Sequence, residues 1–341
     1  MLTLRDLEKL KSSALLVFFK IFEPLTGLKK TLLKGADLSG MGNDGFDIDW
    51  FYGAHGHRLR YGRLDGSDTG ANKVVLLLNG RSEFLEKYVE VAEELVSRGY
   101  TVLSFDWRGQ GLSVRELENR QKGYVKTFED YLADLAVFYR QIVIPLDFPV
   151  TLLAHSMGGH LGLRFMHDNP HAFSRAVLVS PMIDIVTLPF PSFAARRIAK
   201  IACAAGFGEA YVLGGTNYAP GKVCFDTNRL THDLERFNHE ERLIAQIPDL
   251  ALGDVTYAWL KAAFDSIQLL KVKSYAGQIG TPVMLVSADE DRVVSIAAQR
   301  RMARDLPDCR LVCLPNARHE ILHETDGIRR AFWKHFDAFT A

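Results

Sequence analysis

The sequence predicts an α/β fold: a mostly parallel, doubly wound sheet with a helical cap inserted between late strands. Three observations predict it. Continuous apolar runs alternate with helix-spaced segments between residues 74 and 180; the alternation lapses from Asp184 to Ala276 and then resumes; and one serine sits where an apolar run passes directly into a helix. A run that is apolar at every position suits a strand covered on both faces, as in a parallel sheet wrapped by helices.

Residues 1–45 read as an N-terminal extension ending in a glycine-rich break (Gly35, Gly40, Gly42, Gly45). Within it, Ala14–Phe22 is too short for a membrane span, which needs ~18 apolar residues, and is interrupted by Lys20. Asp6 and Glu8 do not suit a secretory leader. The segment reads as an amphipathic helix, either packed on the body or lying at a lipid interface with Lys9, Lys11, Lys29 and Lys30 toward anionic head groups.

Strand-like runs follow at Asp47–Tyr52 and Arg58–Arg63, around a turn at His55-Gly56-His57. Val74–Leu78 is the first fully apolar run, and Glu83–Ser97 has helical spacing that stops at Gly99. Thr101–Phe105 is a strand, Phe128–Val143 a helix ended by Pro145, and Val150–Ala154 a strand. Met157–His167 is a helix and Arg175–Ser180 a strand. After the lapse, which holds helical patterns at Ala194–Ala205 and Tyr257–Leu270, come the strand Val283–Ser287 and the helix Ser295–Asp305. The strand Arg310–Leu314 and a last helix near Gly327–Phe339 complete the order. The core is therefore expected at 46–184 and 277–341, and the cap at 185–276, over the strand edge where open sheets bind ligands.

Bulk properties narrow the function. With 41 basic and 41 acidic residues in 341, the chain lacks the basic surplus of a nucleic-acid binder. Its four cysteines (Cys203, Cys224, Cys309, Cys313) form no C-x-x-C pair and read as small buried hydrophobes in a reducing compartment. The expected location is cytoplasmic, with peripheral membrane contact through the N-terminal segment and cap.

The chemistry is carried by Ala154-His155-Ser156-Met157-Gly158-Gly159. A strand-to-helix turn this tight crowds the backbone, so positions 154 and 158, two either side of the serine, must be nearly free of side chain. The turn projects the Ser156 hydroxyl from the sheet edge and aims the Met157 N–H at a developing oxyanion. Serine is a weak nucleophile and needs a base. In a triad ordered serine, acid, histidine, His319, after the last strand, is the base. Asp291 is the best acid because it directly precedes Arg-Val-Val and a helix start; Asp289 is the alternative and Asp184 a distant third. The turn Asn79-Gly80-Arg81-Ser82-Glu83 supplies the second oxyanion donor, the Arg81 N–H, with the Arg81 side chain read as a surface cation. A rival motif, His319-Glu320-Ile321-Leu322-His323, matches the zinc-protease pattern H-E-x-x-H but has no third ligand at a familiar spacing.

Several segments together resemble the bacterial lysophospholipase and monoglyceride lipase branch of the α/β-hydrolases: Asn79–Phe84 with Lys87-Tyr88, Asp106–Ser113, the elbow at Ser156, Thr256–Leu260, Asp291–Val294 and Arg318–Leu322. The resemblance runs from about residue 46 to the end. It implies an α/β-hydrolase fold, Ser156, Asp291 and His319 as the triad, the Arg81 and Met157 amides as the oxyanion hole, and a single-chain acyl ester as substrate. No cofactor or metal is implied. Ala154 and Asn79 depart from the pattern, where relatives carry glycine and histidine. Apolar cap residues such as Ile185, Phe190, Phe193, Ile198 and Leu213 are numerous enough to line an acyl channel, or to form the cap's own core. A small-molecule carboxylesterase or thioesterase, and a non-catalytic ligand-binding relative, are the alternative functions.

Overall fold

The computed structural model describes residues 45–65, 73–187 and 190–341; residues 1–44, with the helix expected at Ala14–Phe22, lie outside the described residues. Among them, eight strands build one sheet in the order β1-β2-β4-β3-β5-β6-β7-β8. These are β1 (Asp47–Tyr52), β2 (Arg58–Leu64), β3 (Lys73–Leu78), β4 (Tyr100–Phe105), β5 (Val150–His155), β6 (Arg175–Val179), β7 (Val283–Ala288) and β8 (Cys309–Leu314). β1 and β2 pair antiparallel at one edge, β2 joins β4 antiparallel, and every later pairing is parallel.

Strand alternation explains why the central runs are apolar throughout. Val74, Leu76 and Leu78 of β3 join the cluster on one face, while Val75 and Leu77 join the cluster on the other. The first face is covered by α2 (Phe128–Phe138) and α3 (Met157–Asp168), the second by α1 (Val89–Val96) and, at the chain's end, Asp326–Thr340. Each fully buried Leu or Val is worth ~1.5–3 kcal/mol, so both faces of β3 contribute to the core.

Between β6 and β7 lie the cap helices α4 (Ser192–Ala204), α5 (Leu234–Gln246) and α6 (Tyr257–Leu270), with the short α7 (Lys273–Ala276) leading back to the sheet. After β7 come α8 (Ile296–Asp305) and α9 (Asp326–Thr340). No helix among the described residues is long and apolar enough to cross a membrane.

Four local expectations are corrected. The segment after β3 begins as a 3-10 turn, Leu85–Tyr88, before α1, because the Leu85 N–H is drawn to the Asp106 carboxylate. The helix from Phe128 turns into a wider π turn at Tyr139–Val143. α5 had no counterpart in the predicted pattern. None of the four cysteines is fully buried: Cys203 and Cys309 are half-buried, and Cys224 and Cys313 are exposed free thiols, the latter because β8 is an edge strand whose outer positions face solvent.

α6 is fastened to α3 by a buried polar chain. His160 Nδ1 donates to the Met182 carbonyl at 2.9 Å, and Ser266 Oγ donates to His160 Nε2 at 2.6 Å while accepting from Arg164 Nη1 at 2.6 Å. Burial, reinforced by Arg164 against the Met182 carbonyl, lowers the His160 pKa to about 3. The folded state therefore keeps this ring neutral while the unfolded chain protonates it below about pH 6.5. The resulting stability is fully present above pH 6.5 and is lost as pH falls toward 3. His160→Gln, which cannot take up the proton, is expected to flatten the pH dependence of unfolding free energy between pH 6.5 and 4.5 by up to ~1.4 kcal/mol per unit. Urea titrations at several pH values check this; parallel curves for the two proteins would refute it.

Candidate active site

The turn from β5 into α3 holds Ser156 at φ 50°, ψ −112°, a conformation disfavoured for any residue with a side chain. It persists because the backbone is pinned on both sides. The Ser156 N–H donates to the Val179 carbonyl at 3.0 Å, and the Ser156 carbonyl accepts from Met182 at 2.9 Å and His160 at 3.1 Å. The small residues around the serine have separate reasons. A Cβ on Gly158 would lie 2.3 Å from the Leu78 carbonyl oxygen and 2.6 Å from that of Asn79. Ala154, fully buried, is accommodated because it faces Gly162: a Cβ built there would lie 3.9 Å from the Ala154 methyl. Gly158→Ala is expected to push the end of β3 away, costing ~1–3 kcal/mol of stability and lowering kcat about 100-fold, since a displacement near 1 Å can cost that much. Unchanged kcat in the variant would refute the packing argument.

His319, from the loop after β8, places Nε2 3.0 Å from Ser156 Oγ and Nδ1 2.7 Å from Asp291 Oδ2. The other Asp291 oxygen accepts the Val293 and Val294 amides at 2.8 and 3.0 Å. Burial pushes the Asp291 carboxyl up, but His319 and the two amides outweigh it and hold it below its ordinary value. Asp291 thus stays a carboxylate that fixes the Nδ1–H tautomer and leaves Nε2 free to take the serine proton. The alternative acids lie elsewhere: Asp289 is exposed, and Asp184 pairs with Lys271 at 2.8 Å.

The turn after β3 is braced on both sides of Arg81. Gly80 N–H donates to the Glu83 carboxylate, and Ser82 N–H to Gln110 Oε1 at 3.3 Å. Gln110 Nε2 donates back to the carbonyls of Gly80 at 2.7 Å and Glu83 at 3.1 Å. Asn79 turns its side chain toward the Phe105 carbonyl. As the first residue of α3, Met157 has an amide with no partner within its own helix. The Arg81 side chain is not a surface cation, as expected from sequence: it reaches under the cap to the Gly253 carbonyl at 2.6 Å and over the Trp259 ring, 5.6 Å from its centroid.

Beside the serine lies a charged cluster that sequence reading missed. Lys87 Nζ sits 2.7 Å from Glu240 of α5, 2.8 Å from Glu320 and 3.4 Å from Glu83. Burial opposes the charge, yet these carboxylates outweigh it and keep the Lys87 ammonium well above its ordinary pKa. His155 lies between Glu83 (3.1 Å from Nδ1) and the His319 carbonyl (3.3 Å from Nε2), its ring 4.9 Å from that of His319. Both ring nitrogens thus face oxygen acceptors. Burial lowers its pKa, but Glu83 raises it by more.

The H-E-x-x-H segment does not form a zinc-protease helix. His319 uses both nitrogens on Ser156 and Asp291, and Ile321–His323 is a single 3-10 turn. His323 donates from Nε2 to the Lys87 carbonyl. Among the described residues Glu83, Glu320 and His323 come close enough together to hold a metal ion, but the Lys87 ammonium already supplies the positive charge there.

The serine and His319 open on a cavity of about 580 Å³. Its lining combines apolar side chains, among them Ile185, Phe190, Ile198, Val212, Leu213 and Trp259, with the charged Lys87, Glu240 and Glu320. Other apolar cap residues divide between two roles: Phe264 packs in the cap's core, whereas Phe193, Ile201 and Phe207 are exposed.

A family model described as serine aminopeptidase S33 matches residues 69–326. Lysophospholipase L2 of Escherichia coli K12 is 34% identical over 267 residues, 76% of this chain and 77% of that protein. Probable lysophospholipase L2 of Haemophilus influenzae is 29% identical, covering 86% of this chain and 92% of that one. Among solved structures, a soluble variant of Saccharomyces cerevisiae monoglyceride lipase in complex with a substrate analog superposes with a TM-score of 0.71 at 18% identity, over 86% of this chain and 94% of that one.

Proposed function

We propose, for a chain that belongs to the α/β-hydrolase superfamily and to its serine-hydrolase branch of bacterial lysophospholipases and monoacylglycerol lipases, that it hydrolyses a single-chain lipid ester through an acyl-enzyme on Ser156. One observation carries the reading. The hydrogen-bonded chain Ser156–His319–Asp291 opens on a cavity lined by both apolar and charged side chains. An ester joining an alkyl chain to a polar alcohol matches that polarity.

In this mechanism His319 takes the Ser156 proton as the hydroxyl oxygen attacks the ester carbonyl. The Arg81 and Met157 amides hold the oxyanion, Asp291 stabilises the imidazolium, and His319 then protonates the departing alcohol. Water, activated by the same imidazole, releases the fatty acid. The exposed Phe193, Ile201, Phe207 and Leu213 on the cap support a further element of the reading, peripheral contact with a lipid surface on the cytoplasmic side.

A substrate panel tests the proposal: palmitoyl lysophosphatidylcholine, monopalmitoylglycerol, short p-nitrophenyl esters, an acyl thioester and an aminoacyl anilide, each with the Ser156→Ala protein as blank. The expected result is highest kcat/KM on the long-chain oxygen esters. A preference for the short ester, the thioester or the anilide would overturn the substrate class while leaving the serine mechanism intact.

A further inference from the structure

A second chamber of about 290 Å³ adjoins the catalytic cavity, and the two share Arg81, Ser82, Leu230, Glu240 and Glu320 as walls. Arg81 stands at the junction. Its guanidinium has one hydrogen bond among the described residues, from Nη2 to the Gly253 carbonyl, and Nε is buried without a partner. No carboxylate of the described residues lies within ion-pair distance of it: Asp254, the acid that acts on it most strongly, is held by Lys222 at 2.8 Å and by the Thr216 amide at 2.9 Å. The space is built for this side chain. Gly123 leaves it open, since a Cβ there would meet Arg81 Nη2 at 2.8 Å, and Gly123 is itself tied to the cap through the Asp254 carbonyl at 3.0 Å and the Thr256 amide at 2.8 Å. Arg81 is half-buried with its Nε fully enclosed, and a guanidinium partly withdrawn from water without an anionic partner is costly unless its function supplies the anion.

We infer that Arg81 is the anion anchor for the phosphodiester of a lysophospholipid, with the adjoining chamber receiving the rest of the head group. The inference rests on the lipid-ester reading above and narrows it. In a lysophospholipid the phosphorus follows the reacting ester oxygen by the length of a glycerol backbone, a span comparable to that from the Arg81 amide to its own guanidinium. One residue then serves both ends of the substrate: its amide faces the ester oxyanion and its side chain faces the phosphate. Arginine suits this task because its planar fork pairs with phosphate oxygens through parallel hydrogen bonds. Monoacylglycerol offers no charge at that position.

The test measures kcat/KM on palmitoyl lysophosphatidylcholine and on monopalmitoylglycerol in matched mixed micelles, for the parent protein, Arg81→Met and Arg81→Lys. The ratio of the two values within one preparation is insensitive to the fraction of folded enzyme and to changes in the oxyanion turn common to both substrates. The parent is expected to favour the lysophospholipid, Arg81→Met to lower the ratio at least tenfold, and Arg81→Lys to restore part of it by keeping the charge. A ratio in Arg81→Met within twofold of the parent, or a parent that prefers the neutral lipid, would overturn the head-group assignment alone. A parent that cleaves neither lipid but does cleave short esters would overturn the lipid-ester reading, and this inference with it.

Discussion

Replacing Ser156 by alanine is expected to lower kcat by about 10^4- to 10^6-fold and leave the folded structure intact. The hydroxyl has one polar side-chain partner, His319 Nε2 at 3.0 Å. Its removal leaves the His319–Asp291 pair and every backbone bond that pins the elbow. The small side chain fits the same space, so stability should move little, by no more than the ~0.5–1.5 kcal/mol net worth of the one lost hydrogen bond. Residual turnover would come from water attacking an ester polarised by the two amides, a route that retains only a small part of the catalysis. Steady-state kinetics and a thermal melt on the same preparation check both halves. More than a tenth of parent activity with an unchanged melt would place the nucleophile elsewhere.

The second large effect concerns stability. Lys87→Met would leave Glu83, Glu240 and Glu320 facing one another without the ammonium that sits 2.7–3.4 Å from all three. Breaking a buried ion cluster from one side costs ~3–5 kcal/mol, because the remaining charges are desolvated without compensation. The thermal midpoint of this 341-residue chain is expected to fall by roughly 4–7 °C. The pH dependence has a definite sign. In the variant the carboxylates should titrate above their ordinary range, so lowering the pH neutralises them and recovers part of the loss; the gap between variant and parent should narrow from pH 7 toward pH 5. Glu240 belongs to the cap and Glu320 follows His319 directly, so the variant should also lose catalytic rate. A melt within about 1 °C of the parent, on the same scale of roughly 1.4 °C per kcal/mol, would mean that the cluster does not hold the cap.

What could be read from the chain follows the range of the interactions involved. β3 and β5 were legible because two helical layers require apolar residues at successive positions, and the elbow because Ser156 and Gly158 are constrained within a single turn. Asp291 was preferred over Asp289 because it precedes Arg-Val-Val and a helix start, and the amides of that same segment hold its carboxylate locally. By contrast, Lys87 finds Glu240 across 153 residues and Glu320 across 233, and no periodicity reports such pairings. α5 escaped notice because it is largely polar and buries few side chains, Ile244 among them; its one local signal is Asp233, whose side chain caps the Arg236 amide at 3.0 Å. Gln110 was visible only as part of a recurring segment. Its bracing of Gly80 and Ser82 emerges once β3 and β4 lie side by side. Arg81 was misjudged for the same reason: a turn residue after a strand is usually solvated, and the cap that covers it arrives more than 100 residues later.

The most direct test is covalent. Brief treatment of the native protein with a fluorophosphonate, followed by peptide mass spectrometry, should place one adduct on Ser156, and His319→Ala should suppress it because the hydroxyl then lacks its base. A folded protein that takes no label, or takes it on another serine with Ser156 unmodified, would contradict the assignment of this hydroxyl as the reacting group.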